Sequence, residues 1–273
     1  MLSNKSLISL TFISLLLWAC NRINYFETKP IYPNATIVMA HAATGNTPGI
    51  KRNTLEGAIF GLDTLDGIEI DISISKNRGL WLSHDQKVYT LDKYFINVND
   101  ETIAAIKDEN NLPYYTPLEA VLKHMAQNTP DKTISLEIKY PFTLITTDVF
   151  NDVAYNINTL VNQYNLQGRV IVESQSVGLL KKLSEINETI GTYYMCYGNF
   201  EKGISRAYSN GLSGFSFDYG RDDELTFQSV ALAHELGLKV LTYTINDEYI
   251  PIVYSTGADI IQTDNMNFYD LLK

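Results

Sequence analysis

The chain has little cysteine: two residues in 273, Cys20 and Cys196. No disulfide framework can be built from them, so a buried core must carry stability. Cys196 lies in the apolar run GTYYMCYG, where a buried inert thiol fits better than a nucleophile. Proline is scarce at 8 residues, and 45% of the chain is hydrophobic against 19% charged, which excludes disorder and fibrous repeats. Basic residues are outnumbered, 21 Lys and Arg against 31 Asp and Glu, for a net charge of −10. Such a chain is a poor candidate for nucleic-acid binding, and no nucleic-acid partner is expected. No internal repeat or low-complexity linker divides it.

A long apolar run is missing as well. Residues 8–19 are apolar apart from Ser and Thr, but this stretch is too short to span a bilayer comfortably. Lys5 precedes it and Ala19-Cys20 ends it, the form of an export signal. A small residue followed by Cys is the pattern of a bacterial lipoprotein cleavage site, in which Cys20 becomes the lipidated first residue. The alternative is an ordinary signal peptide with an incidental Cys. The expected organisation is a signal peptide over 1–19, an N-terminal tether over 20–35 and one domain over 36–273. The mature protein would then be exported and membrane-anchored, at the outer membrane or on the periplasmic side, and would touch the membrane only through its lipid. Loss of Lys5 takes the net charge to −11.

What is present is alternation. Short apolar runs (TIVMAH, DGIEIDISIS, TISLEIK, RVIVES, IGTYYMCY, GLSGFSFD, KVLTYTIN, ADIIQTD) alternate with helix-like stretches at 145–166, 176–186, 200–209, 224–236 and 247–255. NTLEGAIFGLDT and PLEAVLKHMAQN supply two more. Eight strands alternating with helices predict a parallel sheet closed as a (β/α)₈ TIM barrel. GLWLSHD at 79–85 follows the second strand after only SKNR, too soon for a parallel crossover, so it reads as a β-hairpin arm. Folded back about Asn77-Arg78-Gly79, the arm carries His84 towards Asp71. Residues 86–116 have weaker periodicity and read as a small insertion over the C-terminal mouth of the barrel.

DGIEIDISIS places its Ile residues on one face and Glu69, Asp71, Ser73 and Ser75 on the other. Glu69 and Asp71 thus point the same way, about 7 Å apart by strand rise. They repel unless something positive lies between them. Glu137 and Lys139 alternate likewise, so three carboxylates converge with one Lys at the barrel end where active residues gather. Two readings follow: a hard divalent cation held by Glu69, Asp71 and Glu137, or an ion-pair network built on Lys139.

The same residues, taken in order, resemble the glycerophosphodiester phosphodiesterase family. Its motifs stand here as His41, Asn53-Thr54, Glu69-Ile70-Asp71, His84-Asp85, Thr116-Pro117-Leu118, Glu137-Ile138-Lys139, Thr244-Ile245-Asn246 and Thr263-Asp264. The resemblance covers nearly the whole expected domain. It implies that Glu69, Asp71 and Glu137 hold one divalent cation, Ca²⁺ or Mg²⁺. It implies that His41 and His84 are the acid–base pair and that Lys139 contacts the phosphate of a small-molecule phosphodiester. The implied reaction is hydrolysis to an alcohol and a phosphomonoester such as glycerol 3-phosphate. A hydroxyl of the substrate itself can attack first in that family, giving a cyclic phosphate. The chain departs from the pattern at three places: Ala42 replaces an Arg, Arg52 replaces a Glu, and Tyr243 replaces a Trp. Arg52 and Tyr243 are therefore expected to be substrate contacts, with Arg52 taking over a phosphate interaction.

His124 and His234 lie in helical patterns and read as surface or packing residues. Asp218 and Glu173 read as structural or as pocket lining, and Asp85, pointing to the other face from His84, reads as structural or as a support behind the site. Competing functions are a relative acting on lipid or another polyol phosphodiester, and a lipoprotein that binds phosphodiesters without cleaving them.

Overall fold

The structure is a computed structural model that describes residues 36–141, 146–197, 199–220 and 225–273. The expected signal peptide, tether and lipidation site at Cys20 lie outside the described residues. In chain order the strands are β1 (Ile37–Ala40), β2 (Gly67–Ile74), β3 (Leu80–Leu82), β4 (Lys87–Val88), β5 (Lys93–Tyr94), β6 (Thr133–Lys139), β7 (Val170–Ser174), β8 (Gly191–Cys196), β9 (Gly214–Asp218), β10 (Lys239–Tyr243) and β11 (Ile260–Thr263). The helices are α1 (Leu55–Thr64), α2 (Asp100–Ala104), α3 (Leu118–Asn128), α4 (Thr147–Gln163), α5 (Val177–Ile186), α6 (Phe200–Ser209), α7 (Phe227–Glu235) and α8 (Ile250–Ser255).

The strand order β1-β11-β10-β9-β8-β7-β6-β2, closed by β1 pairing with β2, makes an eight-stranded parallel (β/α)₈ TIM barrel. All eight apolar runs read from the sequence are its strands. Side-chain alternation sorts its contents. Ile68, Ile70, Ile72 and Ile74 of β2 face outwards and are buried with Leu62 of α1 and Leu118 and Leu122 of α3. Met39, Ile171, Tyr193, Leu241 and Ile260 form a separate apolar cluster. Their strand parity puts them inside the barrel, beneath the polar residues of the mouth.

β2 serves two neighbours along one edge. Its first residues close the barrel against β1 (Met39 opposite Gly67, Ala40 opposite Ile68). Its last residues, Ile72 to Ile74, pair antiparallel with Leu82 to Leu80 of β3. This is the expected hairpin arm, with Arg78 in the turn at φ 70°. The following insertion has its own small core of Trp81, Val88, Phe95, Val98, Ile103 and Tyr115. The Trp81 indole N–H donates to Asp100 of α2 at 2.7 Å and fastens the insertion to the arm.

α1 sits unusually close to the β1 end. A Cβ at Gly61 would stand 2.1 Å from the Ala43 carbonyl oxygen and 2.7 Å from an Ile68 methyl. Gly61→Ala gains up to ~1 kcal/mol of helix propensity but incurs an overpacking cost of about 1–3 kcal/mol. It is therefore expected to lower the thermal unfolding midpoint followed by circular dichroism, with the far-UV spectrum retained. An unchanged midpoint would mean that the loop after β1 gives way freely.

Candidate active site

The loop after β1 and the start of α1 are shaped around β2. Ala42 and Ala43 have φ values of 48° and 73°, left-handed conformations that cost a non-glycine residue energy. The turn they make aims the Ala42 N–H at Glu69 Oε2, 2.8 Å away. Asn53 is also left-handed, at φ 53°, which Asn tolerates better. Its side chain grips Asp71 twice: Nδ2 donates to Asp71 Oδ2 at 2.7 Å, and Oδ1 accepts from the Asp71 N–H at 3.0 Å. Thr54 beside it caps α1, its hydroxyl accepting from the Gly57 N–H at 3.1 Å. The Asn53-Thr54 pair thus joins a carboxylate clamp to a helix start.

Register brings the acids together. Asp71 lies directly opposite Glu137 on β6, and Glu137 opposite Glu173 on β7. One ligand atom from each of Glu69, Asp71 and Glu137 lies within 4.8 Å of the others. Lys139 reaches back between them, with Nζ 3.2 Å from Asp71 Oδ1 and paired with Glu137 Oε1. Burial, then the charges of Asp71 and Glu137, pushes Glu69 well above the usual carboxylate range. Burial is also the main push on Glu137, only partly offset by Lys139, and its pKa rises to about 7. Burial would lower Lys139, but Asp71 and Glu137 outweigh it and raise the ammonium's pKa.

One cation therefore faces three carboxylates. Among the described residues Glu69 Oε1 is buried with no hydrogen-bond partner. An orphaned hard oxygen beside two more, in a pocket short of positive charge, fits a divalent cation bound through oxygen. The ion-pair network and the cation site anticipated from the sequence are one constellation.

The two histidines meet at the same place. His41 follows β1; its Nδ1 lies 2.9 Å from Asp264 Oδ1 and its Nε2 lies 3.9 Å from Glu69 Oε2. His84 arrives on the hairpin arm, where the Ser83 N–H donates to the Asp71 carbonyl at 2.9 Å. Its ring is exposed, with Nδ1 3.4 Å from Asp85 Oδ1. His41, His84 and Asp71 line one cavity of about 370 Å³ with Asn53, Arg52 and three tyrosines of the insertion. A larger cavity of about 430 Å³ on the other side of Asp264 contains neither histidine. His41, His84 and Asp71 share the smaller one.

Arg52, the expected phosphate contact, lies in the cavity wall but is already paired within the protein. Its Nη2 donates to Asp264 Oδ1 at 2.8 Å and pairs with Asn46, and its Nε donates to the Gly45 carbonyl at 2.9 Å. Burial alone would raise the Asp264 carboxyl; His41 and then Arg52 outweigh it and hold the pKa below the usual range. Tyr243 stands at the end of β10, and among the described residues its buried hydroxyl has no hydrogen-bond partner. Burial, and the nearby charges of Asp218 and Glu173, hold that phenol protonated far above its usual range. Glu173 is fully enclosed; its Oε1 accepts from Ser135 Oγ at 2.6 Å and from Gln262.

The sequence motifs alone give Asn53 and Asp264 no task, and no pattern in the sequence singles out Tyr89, Tyr114 and Tyr115. Asn53 stands 18 residues from Asp71, and the partners of Asp264 are more than 200 residues away in the chain.

Residues 43–268 match the glycerophosphoryl diester phosphodiesterase family. Among curated proteins, none matches the chain in sequence. Solved structures share the fold. A glycerophosphodiester phosphodiesterase from Parabacteroides distasonis has a TM-score of 0.74 at 20% identity, over 88% of this chain and 97% of its own. An Oleispira antarctica phosphodiesterase in complex with the product sn-glycerol-3-phosphate has a TM-score of 0.72 at 16% identity, over 87% of this chain and 97% of its own. With the family matched over most of its length, and with the barrel and motif residues in place, this chain belongs to the glycerophosphoryl diester phosphodiesterase family and is a phosphoric diester hydrolase of that kind.

Proposed function

We propose that the protein hydrolyses a glycerophosphodiester to an alcohol and a phosphomonoester such as glycerol 3-phosphate. The reaction would use one divalent cation, Ca²⁺ or Mg²⁺, at Glu69, Asp71 and Glu137. The observation that carries this reading is the convergence of His41 and His84 on one cavity wall beside the Asp71 carboxylate. The product complex of the Oleispira antarctica phosphodiesterase, on the same fold, supports the phosphomonoester.

Each side chain has a task that suits its surroundings. With Nδ1 turned to the Asp264 carboxylate, His41 keeps Nε2 towards the site with its lone pair available, as a general base requires. His84, on the exposed arm, protonates the leaving alkoxide. Lys139 and Arg52 offer positive charge to the phosphoryl oxygens, and the Tyr243 hydroxyl offers a hydrogen bond at the opposite edge. A bound cation supplies charge neutralisation at those oxygens.

Replacing His41 or His84 with Ala should lower turnover by about 10²–10⁴. The two losses should not add if both act in one step. Alcohol release from a panel of glycerophosphodiesters in Ca²⁺ or Mg²⁺ measures this, and near wild-type rates for His84→Ala would remove it from the reaction.

Chelation should abolish turnover. The metal-free protein should also carry a sign of its crowded carboxylates. Glu137 has a pKa near 4.5 when unfolded and about 7 when folded. Its proton therefore favours the folded state below pH ~4.5, and that stability is lost as pH rises through ~7. Without metal, the melting temperature should be higher at pH 5 than at pH 8 as far as this group is concerned. A saturating divalent cation should shrink or reverse the difference, because deprotonated ligands bind it best. Full turnover in excess chelator, with no cation effect on melting at pH 8, would refute the metal site.

We further infer that the protein is an exported lipoprotein held by acyl chains on Cys20, a reading supported by the apolar run at 8–19 and by Ala19-Cys20. Cys20→Ser should move it from the membrane fraction to the soluble export compartment. Intact-mass spectrometry showing a mature start elsewhere than Cys20 would count against the anchor.

A further inference from the structure

The insertion carries four aromatic rings in series. Phe95 meets Tyr115 edge-on with centroids 5.0 Å apart, and Tyr115 meets Tyr114 edge-on at 4.8 Å. Tyr114 and Tyr89 then stack in parallel at 5.3 Å with 5° between their planes. The series begins in the insertion's core, where Phe95 is buried, and ends with Tyr89 at 74% exposure. It is braced: the Tyr89 N–H donates to the Tyr115 hydroxyl at 2.9 Å. Tyr89, Tyr114 and Tyr115 line the cavity that holds His41 and His84. A large exposed ring, held in place by a stack and facing a catalytic cavity, is a platform for something apolar on one face and polar at its edge.

The charges around the platform narrow what that is. Lys51 places Nζ 3.4 Å from the Tyr114 ring centroid and donates to the Tyr114 carbonyl at 3.2 Å. The cation–π position on Tyr114 is thus taken by a lysine, whose charge, with that of Arg52 on the same wall, repels a second cation in the cavity. Asp85, on the same cavity wall, adds one carboxylate beside His84. Lys51 is a donor and Asp85 an acceptor, and the tyrosine hydroxyls are both. A quaternary ammonium makes no hydrogen bonds and would meet Lys51. A neutral ring polyol lays its C–H face on Tyr89 and offers hydroxyls to both signs of partner.

Resting on the phosphodiesterase reading, we propose that this wall is the leaving-alcohol subsite and that it selects a neutral polyhydroxylated ring, a cyclitol or a sugar, over choline or ethanolamine. The chemistry of the cleaved bond is unchanged; only the alcohol is specified.

The test is kcat/KM of the wild-type protein with divalent cation on glycerophosphoinositol, glycerophosphocholine and glycerophosphoethanolamine. The inositol diester should be preferred by about tenfold or more, the scale of one well-placed aromatic contact. Tyr89→Ala should raise KM for the inositol diester, and its loss there should exceed its loss on glycerophosphoethanolamine at least fivefold. Lys51→Met should narrow the gap between inositol and choline. Equal or better turnover of the choline diester by the wild type, or a Tyr89→Ala loss shared equally by all substrates, would overturn the subsite and leave the phosphodiesterase reading standing. No turnover on any diester would overturn that reading, and the subsite with it.

Discussion

Glu69, Asp71 and Glu137 share one end of two neighbouring strands with a single cation, Lys139. If all three acids ionise, the cluster holds two negative charges in excess inside a largely buried space, where charge is poorly screened. Only two things relieve that excess. Protons can, and the upward shifts of Glu69 and Glu137, driven first by burial and then by the neighbouring charges, favour them. A divalent cation can, and it carries the two charges that are missing. The rest of the mouth is built to keep the oxygens where such an ion would need them.

That requirement explains conformations that local preference alone would not choose. Ala42 is left-handed so that its N–H can hold Glu69, and Asn53 is left-handed so that its amide can hold Asp71 from two sides. Both residues lie in the segment between β1 and α1, which also carries His41. The loop that fixes the carboxylates is therefore the loop that carries His41. Asp264, at the end of β11 and next to β1 in the barrel, completes it by holding His41 and Arg52 with one oxygen. Barrel closure is thus a condition of the site's assembly, because β1 must pair with both β2 and β11 for these groups to meet.

The barrel was legible because strand and helix periods differ and each run kept its own. The carboxylate cluster was legible for the same reason: two-residue alternation put Glu69 with Asp71, and Glu137 with Lys139, on the inner face. His84 followed from a length argument, since four residues cannot make a parallel crossover. What stayed hidden depends on contacts that no period encodes. The Arg52–Asp264–His41 chain spans more than 200 residues and needs the closed barrel to exist. The aromatic series of the insertion joins Tyr89 to Tyr114 across a segment of weak periodicity, where composition shows tyrosines but not that their rings stack.

The departures from the family's pattern can now be read together. Resemblance leads one to expect Arg at 42 and Glu at 52, and a simple exchange of charges would put a new arginine on the phosphate. Position 42 instead holds a buried alanine whose backbone does the work, and Arg52 is bound to Asp264 before any substrate arrives. The positive charge near His41 is thus retained but tied to the residue that orients His41. Removal of the Arg52 charge should therefore disturb Asp264 and, through it, the setting of His41. With Glu69, Asp71, Glu137, Lys139 and both histidines gathered at one mouth, the phosphate side has little freedom to vary. The wall formed by Lys51, Tyr89 and Tyr114 lies outside that cluster, its tyrosines on an insertion whose small core is shared with Trp81 of the hairpin arm.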